Sequence, residues 1–128
     1  MKIVTCVKQV PDTVEVKIDP ETGTLIRDNA PAILNPFDAY AVEEGLLIRE
    51  QLGGEVVALT MGPPQAREVL YETYAVGVDL GIHINDRAAR GSDTFATAGI
   101  LAAAISKIGS VDLVLCGKQA IDGDTAQV

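Results

Sequence analysis

A chain of 128 residues, 48% hydrophobic and 22% charged, has enough apolar material for one packed core and excludes disordered and fibrous classes. Its formal net charge of −8 excludes a broad basic surface for nucleic-acid backbones, so no nucleic-acid partner is expected. A single nucleotide is still allowed, because backbone N–H groups and a helix N-terminus can hold one whatever the net charge.

The opening Met1-Lys2-Ile3-Val4 enters strand-like sequence at once, without a signal peptide. Lys2 to Val7 is short, apolar and β-branched, the pattern of a buried strand. Val14 to Ile18 alternates apolar and polar residues, Asp19 to Gly23 is a turn cluster, and Thr24 to Arg27 resumes the alternation. That predicts a half-exposed β-hairpin. Asn35-Pro36-Phe37-Asp38 opens a helix, with Asn35 as N-cap, Pro36 at the first position and Asp38 facing the dipole. Phe37, Ala41, Gly45, Ile48 and Leu52 share one helical face, and Gly53-Gly54 ends the helix.

Glu55 to Met61 is a second buried strand, followed by the break Gly62-Pro63-Pro64. The pattern predicts a helix over Gln65 to Val76, a strand over Leu80 to Ile84, and a helix capped by Ser92 or Asp93. That last helix has Ala98, Leu101, Ala102, Ile105 and Ile108 on its inner face. Val111 to Cys116 is a fourth strand. The alternation of strands and helices predicts a single α/β domain over 1–128. Its architecture is a three-layer, open, mostly parallel sheet of order 3-2-1-4, with helices on both faces and the hairpin as an excursion after the first strand.

Open parallel sheets take ligands beyond the carboxyl ends of their strands, where the strand order reverses. With order 3-2-1-4 that place lies near Cys6-Val7-Lys8 and Cys116-Gly117-Lys118, beside Thr60-Met61-Gly62. The following segment, Gly117-Lys118-Gln119-Ala120-Ile121-Asp122-Gly123-Asp124-Thr125-Ala126-Gln127-Val128, is the most unusual in the chain. Gly117 and Gly123 permit close backbone approach and positive φ, and Asp124 or Thr125 suits the cap of a helix starting there. Spacing alone favours an ordinary surface loop, since this is neither a GxGxxG nor a P-loop.

Several stretches resemble electron-transfer flavoprotein beta subunits, in the family's order and over essentially the whole chain. They are Cys6-Val7-Lys8-Gln9-Val10-Pro11-Asp12, Asn35-Pro36-Phe37-Asp38 followed by Ala41-Val42-Glu43-Glu44, Met61-Gly62-Pro63, Asp93-Thr94-Phe95-Ala96-Thr97-Ala98 and, above all, Gly117 to Val128. The resemblance implies a fold related to adenine-nucleotide-binding domains such as the universal stress proteins. It implies a partner alpha subunit carrying a flavin, electron shuttling between dehydrogenases and acceptors, and a bound AMP or, in an electron-bifurcating branch, FAD. The implied contacts are Cys6, Asn35, Pro36, Phe37, Asp38, Met61 and every residue from Gly117 to Val128. The stretch Asp122 to Val128 is more similar to the bifurcating branch, which favours FAD over AMP. Family beta subunits are about twice this length, so the chain is read as a truncated beta subunit. The lost sheet would leave an open edge, and the isolated chain is expected to self-associate.

Plainer roles compete at single residues. Cys6 and Cys116 make neither a CxxC pair nor a zinc pattern, and free cysteines are more often buried small hydrophobes. No apolar run spans a bilayer, so a cytoplasmic protein with reduced thiols and no membrane insertion is expected. His83 lies on a short strand away from the predicted site, which argues against metal or catalysis. Lys8 and Lys118 suit phosphate or plain solvation, and Asp122 and Asp124 suit turn capping. Tyr40, Tyr71 and Tyr74 suit helix packing. The competing function is a stand-alone universal-stress-type nucleotide-binding domain without redox chemistry. The Lys8-Gln9-Val10-Pro11-Asp12 turn argues against an ATP-pyrophosphatase, which needs a Ser/Gly-rich phosphate loop there.

Overall fold

The computed structural model describes residues 1–12, 20, 21, 23 and 31–128. The expected hairpin over Val14–Ile18 and Thr24–Arg27 lies outside the described residues. Its flanks form a small antiparallel pair, β2 (Gln9–Pro11) with β3 (Ala32–Leu34), with Gln9 opposite Leu34.

The main sheet has four parallel strands: β1 (Lys2–Cys6), β4 (Glu55–Met61), β5 (Leu80–Ile84) and β6 (Leu113–Cys116). Their spatial order is β5-β4-β1-β6, which is the expected 3-2-1-4 when the parallel strands are counted along the chain. β1 and β4 are central and carry continuous apolar runs because both of their faces are covered. Ile3, Val4, Val56, Val57, Ala58 and Leu59 have no exposed surface, and burying a side chain of this kind stabilises the fold by about 1.5–3 kcal/mol.

Alternation along the strands sends side chains to two separate cores. Ile3, Val56 and Ala58 meet Val42 of α1 (Pro36–Leu52) and Val69 and Leu70 of α2 (Glu68–Val76). Val4, Val57 and Leu59 meet Leu101, Ala104, Ile105 and Ile108 of α3 (Thr94–Ile108) on the opposite face. Helices therefore cover both faces of the sheet. The residues expected as one helix over Gln65–Val76 divide into a 3-10 turn, Pro64–Arg67, and α2.

The buried stripe of α1 keeps the expected Ala41 and Gly45 but is rotated from the rest of the expected face. It runs Asp38, Ala41, Val42 and Gly45, whereas Leu52 is exposed and Phe37 half-buried. Gly45 sets the rotation, because a Cβ there would lie 3.3 Å from Thr5 Cγ2 and 3.5 Å from Ile3 Cγ2. The helix crosses β1 closely at this point, so its smallest residue faces the sheet. The tyrosines also differ from expectation. Tyr40 and Tyr71 are exposed, and Tyr74 uses its hydroxyl to accept a hydrogen bond from the Gly81 N–H at 2.7 Å. Among the described residues, no helix is long and apolar enough to cross a membrane.

Candidate functional site

The parallel order places the carboxyl ends of all four strands along one edge, with the reversal between β1 and β6. A cleft of about 1010 Å³ opens there. Cys6, Leu59, Met61, Val114 and Cys116 form its floor, and Thr97, Ala98, Leu101 and Ile105 of α3 form one apolar wall. Asn35, Asp38 and the residues Gly117, Lys118, Gln119, Ala120, Gly123, Asp124, Thr125, Ala126, Gln127 and Val128 complete its lining. Of the residues implied by the resemblance, Pro36, Phe37, Ile121 and Asp122 stand outside it. Phe37 instead lines a shallower depression with Tyr40 and Leu115.

Asn35 and Asp38 hold the site together from the start of α1. Asn35 is buried but does not cap the helix with its side chain. Its Nδ2 donates to the Gln119 carbonyl at 2.8 Å, and its Oδ1 accepts from the Ile121 N–H at 3.2 Å. The amide thus clamps the backbone of the final segment, because two elements 84 residues apart meet at this strand edge. Asp38 accepts from the Lys8 backbone N–H at 2.8 Å, so its carboxylate ties β1's exit to α1. Burial pushes its carboxyl above the usual value, while hydrogen bonds from Asn35 and from the Lys8 and Gly117 N–H groups pull the other way.

Gly117 is required by this junction rather than by positive φ. A Cβ there would come within 2.7 Å of the Phe37 carbonyl carbon and 2.8 Å of the Asp38 nitrogen. Nothing lies within 4 Å of a Cβ placed on Gly123. Positive φ falls instead on Asp124 and Ala126, at 52° and 53°. The segment makes a turn at Ile121–Gly123, and residues 124–128 are not helical. The Asp124 carboxylate accepts from the Gln119 side chain.

Lys8, which lines the cleft, forms an ion pair at 2.7 Å with Asp122 outside it. Burial pushes the Asp122 carboxyl up, but Lys8 and the Gly123 N–H outweigh it and hold the group below its ordinary range. Lys118 and Arg90 add two more cations to the lining. His83 lies elsewhere, its Nε2 2.9 Å from the Gly62 carbonyl. Among the described residues, no group of three or more His, Cys, Asp or Glu is placed to hold a metal ion.

The sequence reading did not single out the rim formed by Asn85, Asp86, Ala89, Arg90, Gly91 and Ser92. These residues follow β5, so the same rule about strand carboxyl ends could have found them. Asp93 ends this rim by capping α3, its Oδ1 accepting from the Ala96 N–H at 2.7 Å. The positive end of α3 therefore begins at the cleft, where Thr94 lines it. The arrangement offers an apolar slot beside a polar, partly cationic rim.

A family model described as the electron transfer flavoprotein domain matches residues 22–128. The chain is 60% identical over 129 residues to the caffeyl-CoA reductase–Etf complex subunit CarD of Acetobacterium woodii, covering 100% of this chain and 49% of that protein. It is 52% identical over 128 residues to the electron transfer flavoprotein subunit beta of Clostridium acetobutylicum, again covering 100% and 49%. It is also 52% identical over 131 residues to the acryloyl-CoA reductase electron transfer subunit gamma of Anaerotignum propionicum, with the same coverage. The chain therefore spans about half the length of these relatives. The chain belongs to the electron transfer flavoprotein family and corresponds to the amino-terminal portion of its beta subunits.

Proposed function

We propose that this chain forms the adenine-nucleotide site of a cytoplasmic electron-carrier subunit. With a flavin-bearing alpha subunit, it passes electrons between dehydrogenases and acceptors. The observation that carries the reading is the cleft at the β1/β6 reversal, closed by a final segment that Asn35 clamps. Its volume reaches the upper end of the roughly 300–1,000 Å³ usual for small-molecule sites. An apolar slot beside a rim carrying Lys8, Arg90 and Lys118 suits a ring system joined to phosphates. The size of the cleft favours FAD over AMP as its ligand.

On this reading, Gly117 to Ala120 and Gly123 to Val128 border the ligand, while Asn35 and Asp38 hold the backbone that does so. Ile121 and Asp122 act one step back, through Asn35 and Lys8. A bound flavin would supply the redox chemistry, and the chain would supply position, water exclusion and charge. AMP in the same place would be structural.

Relatives named as subunits of caffeyl-CoA and acryloyl-CoA reductases support an acyl-CoA reductase as the partner dehydrogenase. Electron bifurcation rests on the resemblance of the stretch Asp122 to Val128 to that branch. Ligand release tests the assignment. The full subunit is coexpressed with its alpha-type partner and denatured, and the supernatant is resolved by chromatography. Two flavins per heterodimer are expected. One flavin with AMP would replace the FAD reading, and neither flavin nor partner would overturn the proposal. Among the described residues, β6 has a strand neighbour on one side only. The isolated chain is expected to associate through that edge, and monomeric light scattering at high concentration would contradict this.

A further inference from the structure

Cys6 and Cys116 are register partners on the parallel strands β1 and β6. Adjacent strands lie about 4.8 Å apart, inside the range of roughly 4.4–6.8 Å between Cα atoms that a disulfide spans. Both side chains point to the α3 face: Cys6 packs with the Val4–Val57–Leu59 core, while Leu113 and Leu115 point to the opposite core. The two thiols are neighbours across the β1/β6 pair, and both residues line the cleft. Their surroundings differ. Cys6 is half-buried, whereas Cys116 is exposed on the edge strand.

We propose that Cys116 and Cys6 form a hydroperoxide-reactive dithiol, with Cys116 as the attacking thiolate and Cys6 as the resolving thiol. The Cys116 sulfur attacks one peroxide oxygen, the O–O bond breaks, and the departing hydroxide takes a proton to become water. Cys116 is left as a sulfenic acid. The Cys6 sulfur then attacks the Cys116 sulfur, an S–S bond forms, and the hydroxyl leaves as a second water with the Cys6 proton. Two electrons pass from the two sulfurs to the peroxide. The product is a cross-strand disulfide joining β1 to β6 at the cleft floor.

Charge supports this division of roles. The neighbouring Cys6 thiol lowers the Cys116 thiol, and the Asp38 carboxylate opposes this. The Cys116 neighbour, burial and the Asp38 carboxylate push the Cys6 thiol up. The thiolate is the reactive form, so the exposed partner attacks first.

The test uses the whole chain, with no nucleotide required. After stoichiometric hydrogen peroxide, intact mass should fall by two hydrogens, and peptide mapping should join Cys6 to Cys116 within one chain. In Cys6→Ser, dimedone should trap a sulfenic acid at Cys116. In Cys116→Ser, Cys6 should react at least about tenfold more slowly. A disulfide between chains, overoxidised Cys116 with Cys6 still reduced, or equal rates in the two variants would overturn the proposal. Because the wild-type mass is read first, poor folding of a variant does not obscure the answer. Failure here would leave the nucleotide reading intact, since released ligand is measured separately.

Discussion

Replacing Asn35 separates two roles that predict opposite outcomes. If this residue served as a helix N-cap, aspartate would replace it at little cost, since Asn and Asp cap about equally well. The structure gives it a different task. Its amide donates to Gln119 and accepts from Ile121, and it lies beside the buried Asp38 carboxylate. Asn35→Ala removes two hydrogen bonds worth about 0.5–1.5 kcal/mol each, so a loss of about 1–3 kcal/mol is expected. Asn35→Asp keeps the acceptor for Ile121 but sets a carboxylate against the Gln119 carbonyl and beside Asp38. At neutral pH it should cost at least as much as the alanine variant. Its deficit should shrink as the pH falls through the carboxylate range, because a protonated aspartate can donate again. Urea titration should show the midpoint falling with an unchanged slope. An Asn35→Asp chain within about 0.5 kcal/mol of wild type at neutral pH would refute the clamp.

Gly117→Ala should destabilise the chain by about 1–3 kcal/mol in thermal or urea unfolding, because its methyl meets α1 backbone that cannot step aside. Gly123→Ala, with open space around it, should lie within about 0.5 kcal/mol of wild type. Asp79 accepts from the Val56 N–H at 2.8 Å and from Arg49 Nη1 at 2.7 Å, and these hold its carboxyl below the ordinary 3.8. Its contribution is therefore present above that value and is lost as the pH falls through the lowered one. Asp79→Asn should flatten the acid limb of a stability profile, and an unchanged limb would contradict it. Lys8→Ala breaks an ion pair at the surface, which is usually worth about 0–1 kcal/mol, so stability should barely change. Nucleotide affinity measured by calorimetry should fall, more at low salt than at high.

Much of the sheet was legible because its strands are long apolar runs separated by Gly and Pro punctuation. Glu55–Met61 and Leu80–Ile84 could be bounded to the residue. The face of α1 was harder to read. The expected face held Ala41 and Gly45 correctly but extended to Phe37 and Leu52, whereas close approach to β1 shifts the stripe to Asp38 and Val42. Helix periodicity records hydrophobic surface but not how near the next layer lies. Within the candidate site, strand carboxyl ends located Cys6, Met61 and Gly117, and the Arg90 rim followed the same rule unnoticed. The task of Asn35 was not legible, since capping is a local property and its real partners are 84 and 86 residues away. The resemblance pointed to that residue without supplying a reason.

The central position of β1 has a consequence for synthesis. This strand is made well before its β6 neighbour, which begins only at Leu113. Until β6 is made, β1 therefore has β4 available on one side and bare backbone on the other. An unpaired edge of Ile-Val-Thr-Cys sequence is a template for another nascent chain. The cleft cannot exist in any shorter intermediate, because its floor is joined only when Cys116 reaches Cys6. A ligand bound at the cleft would thus favour the state in which β6 has joined β1 over its aggregation-prone precursors.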